Sequence, residues 1–379
     1  MAVIGILVAA LVLGALAGCG REAPAARPAP ASLGLPALEV PSDNPITPAK
    51  VALGRKLFFD RRLSPNGAMS CAMCHIPEQG FTAHELATPV GIEGRSVRRN
   101  APTLLNVGYQ RRLFHDGREV SLEDQVWGPL LAVNEMGNPS IGYVVERIRS
   151  LRDYDGRFEA AFGGGVSTAR IGAAIASWER TLVAGDSRFD RWRYGGDASA
   201  FTETEKRGFE LFGGKARCAA CHAVGERSAL FTDHGFHNTG IGWRRGRPLP
   251  ERTRVELAPG VFADLDRRVI ESFAEPPARD VGRYEITRDP KDRWAYKTPS
   301  LRNVALTAPY MHDGSLPTLE AVIEFYGRGG IDNPEKSPLV TPLRLTAEER
   351  GALAAFLRAL TGIGVPALIA DARRTAIGQ

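Results

Sequence analysis

The chain has 379 residues, a formal net charge of +5 and a pI near 9.0. At roughly 150 residues per domain, that is room for about two domains. With 44% hydrophobic and 24% charged residues it reads as an ordinary soluble globular protein. Its basic runs, RSVRR and RWR, are short, so a solvated surface is expected and no nucleic-acid partner.

The N-terminal stretch MAVIGILVAALVLGALAGCG is an apolar run ending in Leu16, Ala17, Gly18 and Cys19. A short apolar core before small residues is an export signal rather than a spanning helix. The LAGC ending resembles a bacterial lipobox. Residues 1–19 are therefore expected to be a lipoprotein signal peptide, with Cys19 lipidated; a plain signal peptide that contains a cysteine is the alternative. Residues 20–45 follow as a Pro/Ala-rich tether with polyproline character. Several acyl chains anchor stably. The protein is thus expected to face the periplasm, held to a bacterial membrane through its lipid anchor only.

Two domains are expected beyond the tether, 46–195 and 196–379. The first opens at Thr47-Pro48, a good N-cap and first-turn pair, and its helix leads to CAMCH (Cys71, Cys74, His75). The segments GYVVERIRSLRDYDGRFEAAF and STARIGAAIASWERTLV carry helical periodicity and bridge to the second domain. There Thr202 and Glu205 form a capping box before the helix that leads to CAACH (Cys218, Cys221, His222). Residues 225–292 are rich in Gly, Pro and Arg. Their His234 and His237 are candidate metal ligands, though a loop packed near the second site is the favoured reading. LTAEERGALAAFLRAL closes the domain, with Thr346 and Glu349 as its capping box.

Both motifs match C-x-x-C-H, the attachment pattern of a c-type haem. Two thiols add to the two vinyl groups of one porphyrin, and the adjacent histidine lies under the iron. Apart from Cys19, the two motifs use every cysteine in the chain. Zinc would need four ligands close together, whereas the pairs lie 147 residues apart. Disulfides would not need the following histidine. The fold expected is mostly α, with two duplicated cytochrome c-like domains, each holding one covalently bound haem.

A repeat supports the duplication. APTLLNVGYQRRLFHDGREVSLEDQV (101–126) aligns without gaps with TPSLRNVALTAPYMHDGSLPTLEAVI (298–323), at an offset of 197. His115 pairs with His312, Phe114 with Met311, and a helix opens at Ser121 or Thr318. Continued, the alignment sets Tyr326 opposite Pro129. Proline offers iron no side-chain donor. An asymmetric pair is expected, one haem capped by Tyr326 and one with an open position. Met311 is the less favoured candidate for that cap.

These residues resemble the bacterial di-haem cytochrome c peroxidase family, and more closely its MauG-type branch. The resemblance covers about residues 45–362 and rests on both CxxCH motifs, RRNAPTLLNV, FHDGREVSLEDQVWGPLLAVNEM, FHNTG and KTPSLRNVALTAPYMHDGSLPTLEAVIEFYG. It implies His75 as proximal ligand of a peroxidatic haem and His222 as that of an electron-transfer haem. It implies catalytic roles for Glu135, Gln125 and Pro129, and Tyr326 as distal ligand of the second iron. It also implies a calcium ion between the domains, held by the Asn100 side chain and the carbonyls of Thr307 and Pro309, and His312 beside the haem propionates. A carboxylate such as Glu135 can move a proton between the peroxide oxygens if its pKa is tuned. Two departures stand out. The family's extra histidine ligand in the loop after the first haem is replaced by Gly91 or Ile92, and His84 lies eight residues too early, so the first haem is expected to rest open. His115 occupies the place of the family's inter-haem tryptophan, where it is the expected relay; Trp127 is read as packing.

The function expected is a peroxidase that reduces hydrogen peroxide to water, with electrons from a small cytochrome c or cupredoxin. The alternatives are MauG-like oxidation of a protein side chain during cofactor maturation, and a non-catalytic di-haem electron carrier.

Overall fold

The structure is a computed structural model that describes residues 32–246, 250–258, 260–273 and 280–374. The expected signal peptide, Cys19 and the first part of the tether lie outside the described residues. Among the described residues, no helix is long and apolar enough to cross a membrane.

Helix α1 (Pro48–Phe59) begins at Thr47, whose hydroxyl accepts from the Lys50 amide at 3.3 Å. Two short helices follow the first CxxCH loop, α2 (Leu122–Gln125) and α3 (Trp127–Leu131). The next segment reads in sequence as one helical stretch, but it breaks into α4 (Ile141–Arg149), a 3-10 turn at Arg152–Tyr154 and α5 (Arg157–Phe162). Leu151, with ψ of 102°, separates α4 from the turn, and Asp155, with ψ of 129°, and left-handed Gly156, with φ of +71°, separate the turn from α5. Helix α6 (Thr168–Glu179) is capped by Ser167 and packs along α1. Gly54 allows the contact: a Cβ there would stand 1.9 Å from the Ala174 carbonyl oxygen.

Helices α7 (Arg188–Arg193) and α8 (Glu203–Gly213) open the second half, α8 with the Thr202–Glu205 capping box. Strand β1 (Phe236–His237) leads to α9 (Ile241–Arg245), a hairpin of β2 (Arg252–Ala258) and β3 (Val261–Asp266), then α10 (Arg267–Phe273) and α11 (Tyr284–Thr287). Strand β4 (Tyr296–Lys297) returns antiparallel to β1, with Phe236 opposite Lys297. Helices α12 (Leu319–Gly327), α13 (Ala347–Arg358) and α14 (Val365–Ala372) end the described chain. Thr346 and Glu349 form the capping box of α13. Helix α13 packs on α8 as α6 packs on α1. Gly208 takes the part of Gly54, since a Cβ there would stand 2.1 Å from the Ala352 carbonyl oxygen.

Two hydrophobic cores form around these helix pairs. In the first, Phe58 meets Trp178 with ring centroids 4.4 Å apart. In the second, Phe212 meets Phe356 at 5.0 Å. Each such buried side chain contributes about 1.5–3 kcal/mol. Backbone features recur at the offset of 197 seen in the sequence: the bridges Leu113–Glu119 and Tyr310–Leu316, and left-handed Asn106 and Asn303. Asn106 and Asn303 both donate to the Ala184 carbonyl, at 2.9 and 3.2 Å, which ties the halves at one oxygen. The expected boundary between 195 and 196 parts the two motifs but not the cores. Phe189 of α7 packs into the second core, and Val365 and Ala372 of α14 return to the first. Apolar faces are buried where they fit, whatever their order in the chain.

Candidate haem sites

Each CxxCH motif closes as one tight turn. Cys71–Met73 and Cys218–Ala220 are 3-10 segments, and the amides of His75 and His222 donate to Cys71 O at 3.0 Å and Cys218 O at 2.9 Å. The Nδ1 atoms of His75 and His222 bond to the carbonyls of Phe81 at 3.1 Å and Phe231 at 2.8 Å. A carbonyl only accepts, so Nδ1 carries the proton and Nε2 keeps its lone pair. Burial holds both imidazoles below their ordinary pKa, as neutral rings. The two phenylalanines that supply the carbonyls are left-handed, with φ of +58° and +54°. Bulky residues adopt this at a cost of about 1–3 kcal/mol each, a strain that aims the acceptor at the ring.

One cavity of about 860 Å³ runs past both motifs. Beside it lie four half-buried thiols and two neutral imidazoles. Leu104, Leu105, Val304 and Leu353 line it with apolar surface. His312 lines it too, with a buried Nε2 that has no hydrogen-bond partner. This donor set fits two covalent haems: each motif would hold one through its two sulfurs and its histidine Nε2, and the His312 nitrogen suits an anionic propionate.

The far sides of the two motifs differ. Pro129 has no N–H to offer the Gln125 carbonyl four residues back, and the helical run is divided at Val126 into α2 and α3. At the matching place α12 is unbroken and carries Tyr326 into the cavity. Burial pushes the Tyr326 hydroxyl well up, with the Cys221 and Cys218 thiols adding to the effect. Met311 also lines the cavity, in the turn before His312, at a φ of +72°. Gln125, Pro129 and Glu135 also line the cavity, and Glu135 lies near enough to Cys74 to raise that thiol's pKa. Burial pushes the Glu135 carboxyl up, while Arg118 pulls it down. The Glu135 carbonyl accepts from the Ile92 amide at 2.8 Å, and a Cβ on Gly91 would meet the Asn134 oxygen at 2.1 Å. The loop therefore lies tight against the Glu135 turn and brings no imidazole there. His84 is exposed, with its Nε2 bonded to the Leu306 carbonyl at 2.8 Å. Trp127 packs against the first core.

In the same cavity the rings of His115 and His312 meet edge to face, with centroids 6.5 Å apart and planes at 66°. Burial lowers the His115 pKa to about 4, and its Nε2 donates to the Asn100 carbonyl at 2.9 Å. The Asn100 amide nitrogen donates to Ala87 O at 2.9 Å, which leaves its side-chain oxygen for another partner. Asn100, Thr307 and Pro309 all line the cavity, and three neutral oxygens would leave a calcium ion several water ligands. Donor atoms of Cys221, Asp233 and His237 lie within 4.8 Å of one another. With the Cys221 sulfur committed to its CxxCH motif, two donors remain, too few for a metal site.

Sequence reasoning missed several residues here. Arg99 donates to Asp280 through two nitrogens at 2.7 Å and to Asp116 at 2.6 Å, all three buried. Tyr296 stacks on His312 at 3.5 Å between centroids. Glu179 is buried at the end of α6, with burial pushing its carboxyl up to about 8. Only for Glu179 was there a sequence signal, a match of α6 to α13 that sets it opposite Leu357.

Comparison with known proteins agrees with this geometry. Residues 48–199 match the family described as di-haem cytochrome c peroxidase, and residues 295–329 match one described as RoxA-like, cytochrome c-like. Methylamine utilization protein MauG of Methylorubrum extorquens is 41% identical, over 84% of this chain and 80% of that protein. Cytochrome-c peroxidase IdrP1 of Denitromonas iodatirespirans is 38% identical, over 86% and 85%. A solved MauG-like protein associated with microbial copper homeostasis superposes with a TM-score of 0.72 at 35% identity, covering 90% of this chain and 97% of that one. Two CxxCH turns on one cavity, inside a mostly helical fold shared over most of its length with these oxidoreductases, place the chain in the di-haem cytochrome c peroxidase family.

Proposed function

We propose that this protein reduces hydrogen peroxide to water at the His75 site, with electrons that enter from a small cytochrome c or cupredoxin by way of the His222 site. The observation that carries the reading is the asymmetry of the far sides, Pro129 with Gln125 and Glu135 at one and Tyr326 at the other. A haem at each motif would supply the redox-active iron. Glu135 would take the proton from one peroxide oxygen and deliver it to the other, a task for which burial brings its carboxyl toward working pH. The Gln125 amide would orient the peroxide by hydrogen bonding. Pro129 would leave the first site open, and Tyr326 would close the second through its hydroxyl oxygen. His115 would relay electrons between the sites. Asn100, Thr307 and Pro309 would hold calcium, and His312 would fix a propionate. A basic face would steer an acidic donor, and the Cys19 anchor would keep the enzyme at the membrane, facing the periplasm.

Oxidation of a protein side chain is the second reading, favoured by Tyr326 and by 41% identity to a MauG protein. The test is to record EPR and visible spectra of the ferric holoprotein, then add stoichiometric peroxide with and without a reduced cytochrome. One high-spin and one low-spin signal with rapid donor turnover supports the peroxidase. A long-lived oxidised state with poor donor turnover moves the weight to side-chain oxidation. Two low-spin haems inert to peroxide would sink both readings and leave an electron carrier.

A further inference from the structure

The proposed peroxide chemistry gives no role to Glu179, a buried carboxyl beside the first motif. Glu179 ends α6, is 4% exposed, lines the cavity and has a buried Oε2 with no hydrogen-bond partner. It lies near enough to Cys71 to raise that thiol's pKa. Helices α6 and α13 match at an offset of 178: Trp178 corresponds to Phe356, and the Asn106–Leu182 hydrogen bond to Asn303–Leu360. At that offset Ile175 corresponds to Leu353 and Glu179 to Leu357, and all four line the cavity. The second site has a leucine where the first has a carboxyl. An unpartnered buried oxygen is costly, and Leu357 shows that an apolar side chain fits this place in the fold.

The charges around Glu179 are engaged elsewhere. Both terminal nitrogens of Arg180 donate to Glu123 of α2, at 2.6 and 2.8 Å. Asp124 of α2 accepts from Ser121. On α1, Lys50, Lys56 and Arg55 pair with Asn44, Asp153 and Asp371. Burial dominates the carboxyl's pKa, with Arg180 opposing it and Glu123 adding to it. The group therefore titrates within the range where an added charge in the pocket can move it.

We propose that Glu179 takes up a proton when the His75 site accepts an electron, so that reduction and protonation are coupled at the first site and not at the second. The inference rests on the reading that His75 carries a haem. The electron comes from the donor of the peroxidase reaction. Where the pH is high enough for the oxidised protein to hold Glu179 as its carboxylate, that carboxylate gains one proton from solvent on reduction and becomes the neutral acid, which cancels the added negative charge in a low-dielectric pocket. On reoxidation the same O–H bond breaks and the proton returns to solvent.

The test is spectroelectrochemistry of the holoprotein from neutral to alkaline pH, on wild type, Glu179→Gln and Glu179→Leu. In the wild type the midpoint potential of the first haem is expected to fall as pH rises around 8. The limit is a tenfold change in the redox equilibrium per pH unit, or 59 mV for one electron. The second potential stays flat, and both variants flatten the first. A redox difference infrared spectrum of the wild type, recorded at or above about pH 8, should gain a protonated-carboxyl band on reduction, absent from Glu179→Gln. A pH-independent first potential, or a slope that survives Glu179→Gln, overturns the proposal. Where the variants fail to fold, a wild-type spectrum without the carboxyl band overturns it alone. A chain in which mass spectrometry finds no haem on Cys71 and Cys74 instead overturns the reading beneath it, and the proposal with it.

Discussion

Replacing Glu179 by leucine would copy into the first core what Leu357 supplies to the second. An ordinary glutamate titrates at 4.5, and burial moves this one to about 8. Below 4.5 the group is protonated whether the chain is folded or unfolded, and it contributes no pH dependence. As pH rises from there, the unfolded chain gives up its proton freely while the folded chain holds it, so wild-type stability falls until pH passes about 8. That gap of about 3.5 pH units, at 1.36 kcal/mol for each, amounts to about 5 kcal/mol. Glu179→Leu is therefore expected to gain on the wild type as pH rises, with a difference that approaches about 5 kcal/mol as an upper bound. Guanidinium unfolding of both oxidised holoproteins at about pH 5 and about pH 9, followed by circular dichroism, measures the difference. A change in packing would add a constant offset at both pH values, so only the pH-dependent part bears on the reasoning. A difference that stays constant, or that shrinks as pH rises, refutes it.

Glu135→Gln is expected to cut peroxide turnover by about 10²–10⁴-fold in steady-state assays. Because burial raises this carboxyl, wild-type turnover should decline on the acid side at a higher pH than an exposed glutamate would give, and the variant should lose that limb. Unchanged turnover would remove Glu135 from the chemistry. Tyr326→Phe deletes the α12 oxygen that faces the second site, so EPR should show the second haem changing from low spin to high spin while the first is unaffected; Met311→Leu should change neither. Asp190→Ala strands the Arg302 guanidinium, whose two nitrogens reach Asp190 at 2.6 and 2.8 Å with both side chains at 0% exposure. A loss of roughly 3–5 kcal/mol is expected from denaturant titration, and a loss well below that would show that water reaches the pair.

The parts of the site that were legible in the sequence depend on short-range bonding. A CxxCH turn closes through a hydrogen bond from His75 to Cys71, and the caps at Thr47, Thr202 and Thr346 act within three residues. Such contacts form between near neighbours, so a local pattern suffices to reveal them. The gapless repeat extended this reach, because a duplicated fold makes each half a template for the other. It set Pro129 against Tyr326, and the structure has the broken and the unbroken helix at those two places. The helical periodicity of residues 142–162 did not reveal the interruptions at Leu151, Asp155 and Gly156, which depend on backbone angles rather than on the spacing of apolar residues.

The rest was decided by packing. Arg99 and Asp280 lie 181 residues apart in sequence and yet share a doubly hydrogen-bonded contact. Helix α14 belongs to the first core although it ends the described chain. Glu179 looks in sequence like one more charge beside Arg180. What makes it unusual is that it is buried on the cavity wall while Arg180 turns to Glu123, so that burial, rather than a partner, governs its proton. The amino-acid sequence by itself determined which residues can bind haem and where helices begin, because those depend on residue type and near neighbours. Which acids are buried, which loops press on the Glu135 turn and which distant charges meet were settled by the tertiary structure, because dielectric and proximity are properties of the packed chain.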